Sequence, residues 1–129
     1  MSVKRLVGVS VVGLLLVALA VPALAAAESP WWRLTASVTP TYLPPGGEGK
    51  IVVVASNLGD AQASGGVTPI TVSDRLPGGL TPIAVTGRAG LLGSLGELAC
   101  APLPALSCDF TGALQPYDCL LYTSDAADE

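Results

Sequence analysis

The stretch from Lys50 to Leu80 constrains this chain more than any other. Lys50-Ile51-Val52-Val53-Val54-Ala55-Ser56-Asn57 is a β-branched run that ends on turn chemistry, Leu58-Gly59-Asp60. A loop of small and polar residues follows. A second run, Ile70-Thr71-Val72-Ser73-Asp74-Arg75-Leu76, is closed by Pro77-Gly78-Gly79. β-Branched side chains lose χ1 freedom in helices and pack well on a pleated surface, so both runs predict strands. Ile51, Val53 and Ala55 share one face, but Val52 and Val54 are apolar as well. That pattern fits a central strand covered on both sides. Ile70, Val72, Asp74 and Leu76 share a face of the second strand. Pro69 cannot donate to a ladder, so its regular part is expected to begin at Ile70.

The flanking segments carry the same signals. Trp31 to Val38 alternates, with Trp32, Leu34, Ala36 and Val38 on one side and Arg33, Thr35 and Ser37 on the other. Period two predicts a half-buried strand, bounded here by Pro30 and Pro40. Pro44-Pro45-Gly46-Gly47 is a turn. Short strands are expected at Ile83-Ala84-Val85, Leu98-Ala99-Cys100 and Leu106 to Phe110. Arg88 to Gly96 shows no clear period and is expected to be loop. Gly112 to Tyr117 is a corner expected to lead into a strand that is cut away beyond residue 118. With 15 Gly, 11 Pro, 5% aromatic and 12% charged residues, the chain offers little for amphipathic helices. The expected fold is all-β, an Ig-like β-sandwich.

Both ends are set apart from that domain. Lys4 and Arg5 precede an apolar run from Leu6 to Ala20, then Pro22 and Ala23-Leu24-Ala25. A charged start, an apolar stretch and a small-x-small site form a secretory signal peptide, residues 1–25, with cleavage between Ala25 and Ala26 or after Ala27. The alternative is an uncleaved anchor, since about 20 apolar residues suffice to span a bilayer. At the other end, Cys119 to Glu129 is similar, residue for residue, to a translation of the transposon adapter used in preparing sequencing libraries. Residues 119–129 are therefore expected to be a non-native tail outside the fold, and codon 118 to be Asp or Glu in the intact gene. The domain is then residues 26–118. It would lack its last strand or strands, leaving one unpaired, association-prone edge and uncovering Ile51, Val53 and Phe110.

Asn57-Leu58-Gly59-Asp60 after a Val-rich strand, then Val72-Ser73-Asp74-Arg75-Leu76-Pro77-Gly78-Gly79-Leu80, resembles a bacterial conserved-repeat family known only as domain of unknown function eleven. Cys100, Cys108 and Gly112-Ala113-Leu114-Gln115-Pro116 stand where that family often has a Cys pair and a following corner. The resemblance covers roughly Gly47 to Tyr117. It departs from the family at Ala55-Ser56, where a Thr usually precedes the Asn. It implies an Ig-like, secreted or surface-exposed module, usually repeated, without catalytic residues. With Cys119 set aside, Cys100 and Cys108 are an even pair in an oxidising compartment and are expected to form a disulfide. Two buried free thiols are the alternative.

The chemistry is bounded by what is missing. The chain has no His, which removes the commonest general base and metal ligand. No nucleophile elbow, P-loop or metal-spaced cluster occurs, so no catalytic residue, cofactor or metal is expected. A net charge of −4 without a basic stripe excludes nucleic acid as a partner. A Lys50–Asn57 isopeptide is excluded because the two lie at opposite ends of one strand, about 23 Å apart. Asp74, near a strand end on a mostly apolar side, is expected to bond turn amides rather than act as a catalyst. Trp31, Trp32 and Tyr42 are the candidate binding residues. They are either a ligand-stacking set or a core anchor with neighbours that pack on the linker. The expected function is a non-enzymatic spacer or adhesive module of a secreted or cell-surface protein. Its partner would be a surface protein or glycan, and it would meet the membrane only through an uncleaved signal segment. The alternatives are an accessory module of a secreted enzyme and a carbohydrate- or protein-binding module.

Overall fold

The computed structural model describes residues 26–128. The signal segment and its cleavage site before Ala26 lie outside the described residues. Ten strands occur, and no α-helix is present among the described residues. They are β1 (Trp32–Thr39), β2 (Glu48–Asn57), β3 (Ala63–Ser64), β4 (Ile70–Ser73) and β5 (Leu80–Ala89), then β6 (Gly96–Glu97), β7 (Ala99–Cys100), β8 (Ser107–Phe110), β9 (Ala113–Leu114) and β10 (Cys119–Asp128). A five-stranded antiparallel sheet runs in the order β1-β2-β10-β5-β6, and a three-stranded sheet in the order β4-β8-β7. β3 and β9 form a separate two-stranded pair.

The layers meet over one apolar cluster. Ala55, Ala89, Leu120 and Tyr122 come from the large sheet, and Val72, Cys108 and Phe110 from the small one. Leu98 and Leu114 fill the space between strands. Gly87 makes room for Leu98: a Cβ there would lie 2.8 Å from the Leu98 side chain, while the Gly87 carbonyl accepts the Leu98 amide at 3.0 Å. Any larger residue at position 87 would push Leu98 out of the core.

β10 corrects the expectation that residues 119–129 stand outside the fold. It lies between β2 and β5, pairing Leu120 with Ala55 on one side and Ala89 on the other. Its alternate residues Leu120, Tyr122, Ser124 and Ala126 are buried. The position expected to be empty after the Gly112 corner is thus filled, and Phe110 is buried. The physical reason is periodicity. Cys119-Leu120-Leu121-Tyr122-Thr123 places Leu120 and Tyr122 on one face, a strand pattern whatever the origin of the residues.

Other boundaries also move. β4 does begin at Ile70 after Pro69, but it ends at Ser73, so Asp74 and Leu76 are not part of it. β5 is longer than the Ile83–Val85 expectation and takes in Arg88 and Ala89, which were expected to be loop. Its irregularity sits at Pro82: Asp125 pairs with Ala84 but Ala126 with Pro82, leaving Ile83 as the extra residue. A proline cannot donate to the ladder, and a bulge accommodates it. β2 is central, as its apolar run predicts. Val52 and Val54 are only half-buried, flanked by Ser37 and Thr35 on β1 and by Thr123 and Leu121 on β10.

Candidate functional site

The polar residues singled out from sequence gather at two places. The first is the end of β2. Asn57 is fully buried, and its side chain makes four hydrogen bonds. Its Oδ1 accepts the Trp31 amide at 3.2 Å and the Gly59 amide at 3.1 Å. Its Nδ2 donates to the carbonyls of Ala61 at 2.9 Å and Leu114 at 3.3 Å. A buried amide with every site engaged contributes stability, whereas a half-used one costs several kcal/mol. Gly59 is required by close approach: a Cβ there would fall 2.3 Å from the Ser29 carbonyl and 2.4 Å from the Trp31 amide. Asp60 completes the turn by accepting the Ser29 amide at 2.8 Å. The Asn-x-Gly-Asp turn is therefore a clasp that fixes the entry to β1, the exit from β2 and the β9 corner together.

The second place is Asp74. Its Oδ1 accepts the Arg75 amide at 2.7 Å, and its Oδ2 accepts the Ser124 hydroxyl at 3.1 Å. One carboxylate oxygen thus serves the turn backbone and the other reaches the central strand. Beside it the Tyr122 hydroxyl is buried without a hydrogen-bond partner. Burial pushes that hydroxyl above its ordinary pKa and the Asp74 charge adds to the rise, while the nearby Ser124 pulls it partly back.

Cys100 and Cys108 face each other across β7 and β8 and are joined, with an S–S distance of 2.01 Å. Cys119 carries a free thiol.

The candidate binding residues are not brought together. Trp32 packs against the core cluster as an anchor. Trp31 and Tyr42 are 60% and 79% exposed, but they flank opposite ends of β1. An eight-residue strand separates them by about 26 Å, too far for one stacking platform. Among the described residues no group of three His, Cys, Asp or Glu could hold a metal ion.

Two sizeable surface concavities occur among the described residues. One of about 430 Å³ is lined by Lys50, Arg88, Glu97, Leu98, Leu121 and Thr123, among others. The other, about 360 Å³, opens between the edges of the two sheets, where Trp32, Leu34, Val53, Ile70 and Val72 line it. Sequence reasoning did not find this second groove. Its signal was the alternation of Trp32 and Leu34, read as a core face that the short β4 leaves uncovered.

No family model matches this chain, and neither the curated proteins nor the solved structures contain a match.

Proposed function

We propose that this chain is a non-enzymatic, Ig-like module of a secreted or cell-surface bacterial protein, acting as a spacer or adhesive domain. The observation that carries the reading is the use made of the polar motif residues. Asn57 and Asp60 are engaged in fixing backbone, and Asp74 ties a turn to β10. A signature whose side chains are consumed by the fold serves stability and exact shape, which a repeated structural module needs. The Cys100–Cys108 bond supports an oxidising compartment, where such bonds persist. The antiparallel two-layer arrangement supports an Ig-like identity, and no helix of the described residues is long and apolar enough to cross a membrane.

On this reading Cys119–Asp128 occupies the position of a natural closing strand. The buried hydroxyl of Tyr122 on β10 lacks a hydrogen-bond partner, whereas Asp125 on the same strand is ion-paired, its Oδ1 3.7 Å from Lys50 Nζ. A hydroxyl buried unpaired on a central strand suits a substitute better than a strand selected for the site.

Expression of the full chain in a bacterial host tests the module reading. The expected product lies outside the cytoplasm, begins at Ala26 or Ala27 and has Cys100 and Cys108 oxidised. Retention in the cytoplasm with reduced thiols would contradict it.

A further inference from the structure

We propose that β1 is a homophilic interface, through which two copies of this domain join edge to edge, antiparallel, about a two-fold axis at Thr35. The inference deepens the adhesive reading by naming the partner as a second copy. It fails or stands separately from export and disulfide formation.

The first observation is the free edge. β1 pairs only with β2, and its other side meets no strand among the described residues. The direction of its backbone follows from the ladder. Trp31 accepts the Leu58 amide at 2.7 Å, so odd residues of β1 turn their amides and carbonyls toward β2. Trp32, Leu34, Ala36 and Val38 therefore turn theirs outward, unpaired. Natural edges are blunted by charged side chains, Pro, a bulge or an inward charge; Trp32–Thr39 has neither Pro nor an inward charge, and Arg33 on its outer face is its one charged residue.

The second observation is the uncovered apolar face. Leu34 and Val38 are 69% and 53% exposed, yet they lie on the same face as the core residues Trp32 and Ala55. The groove of about 360 Å³ beside Leu34 is lined mostly by apolar side chains of both sheets. A partner strand that continues the sheet would bring its own inward side chains over this groove.

The third observation selects a second copy of the same strand. Antiparallel partners must match inward with inward residues. With the axis at Thr35, Trp32 lies opposite Val38 of the other copy, Leu34 opposite Ala36, Arg33 opposite Ser37 and Thr35 opposite Thr35. Aromatic against β-branched and Thr against Thr are favourable cross-strand pairs, and the small Ala36 leaves room for Leu34. Arg33 is the sole charge on the strand, and it meets no like charge. The outward amides and carbonyls of Trp32, Leu34, Ala36 and Val38 all find partners in this register. Shifting the axis to Ala36 would set Trp32 against Pro40, which has no amide to give. Such a strand pair buries on the order of 1,000 Å², the low end for a specific complex, so the association is weak and rises with concentration.

The test uses the processed chain from Ala26, which contains every described strand. Sedimentation over a range of concentrations should show a monomer–dimer equilibrium. In a Cys119→Ser background, Thr35→Cys should cross-link to a dimer on mild oxidation. The reason is that a non-hydrogen-bonded antiparallel pair has Cα atoms about 4.5 Å apart, within disulfide reach. Ala36→Pro should abolish the dimer with little loss of monomer stability, because the amide it removes points away from β2. Leu34→Lys should weaken the dimer about tenfold or more by placing like charges near the axis. A monomer at all concentrations, an Ala36→Cys variant that cross-links in preference to Thr35→Cys, or a dimer indifferent to both Ala36→Pro and Leu34→Lys would each overturn the proposal. In the last case the surface used is another one.

Discussion

The Asn57 side-chain amide donates to the Leu114 carbonyl at 3.3 Å, joining positions 57 residues apart in the chain. The same side chain holds Trp31, Gly59 and Ala61. Asn57→Ala would leave two amides and two carbonyls without partners in a buried site. The expected loss is about 3 kcal/mol, read as a lower denaturation midpoint with unchanged slope. Asn57→Asp should be comparably damaging, since a carboxylate cannot donate to the Ala61 and Leu114 carbonyls.

The Cys100–Cys108 bond closes a short loop, with a sequence separation of 8. On the chain-entropy account, replacing both by Ser should cost about 2.5 kcal/mol. Intact mass with and without reductant checks the bond itself. Free thiols at both positions on exported protein would contradict it.

Tyr122 should govern the alkaline limit of stability. Its hydroxyl ionises above its ordinary value of 10.0 because burial disfavours the phenolate. The folded state therefore holds this proton more tightly than the unfolded chain. The resulting stabilisation is complete below the unfolded pKa and disappears as pH rises through the folded one. Tyr122→Phe removes a buried hydroxyl that has no partner. It should raise stability near neutrality by about 1 kcal/mol and flatten the decline at high pH. An unchanged alkaline decline in the variant would contradict this account.

Tyr117 has φ 73°, in the left-handed region where side chains are strained. Its side chain is exposed and takes no part in the core, while its amide donates to the Asn57 carbonyl at 2.6 Å, a bond that glycine keeps. Tyr117→Gly should relieve the strain and stabilise by up to about 1 kcal/mol, read as a higher melting temperature.

Much of this architecture was legible in the sequence because period two is strong where β-branched residues cluster. Alternation over Trp31–Val38, the β-branched run from Lys50 and Pro69 before Ile70 predict β1, β2 and the start of β4, with β1 and β2 shifted or extended by one or two residues at their ends. β5 was less legible, because Pro82 and Gly87 interrupt its pattern: one is absorbed by a bulge and the other admits Leu98. The resemblance of the β10 residues to an adapter points away from a strand, but a chain folds by pattern whatever its origin. Of the site, the Asn-x-Gly-Asp turn was visible as a turn. Its role as a four-way clasp was not, since three of the Asn57 partners are backbone groups outside the tight turn. The open β1 edge could not be seen either, because alternation tells which residues share a face but not whether another sheet covers it.

The central claim is that Cys119–Asp128 is the inner strand that closes the large sheet. Residue-resolved amide hydrogen exchange on the processed chain tests it most directly. The account predicts that amides along β10, from Leu120 to Ala126, exchange as slowly as those of Val53 and Ala55 on β2, because opening them requires global unfolding. Exchange at free-peptide rates from Cys119 onward, with β2 still protected, would contradict it.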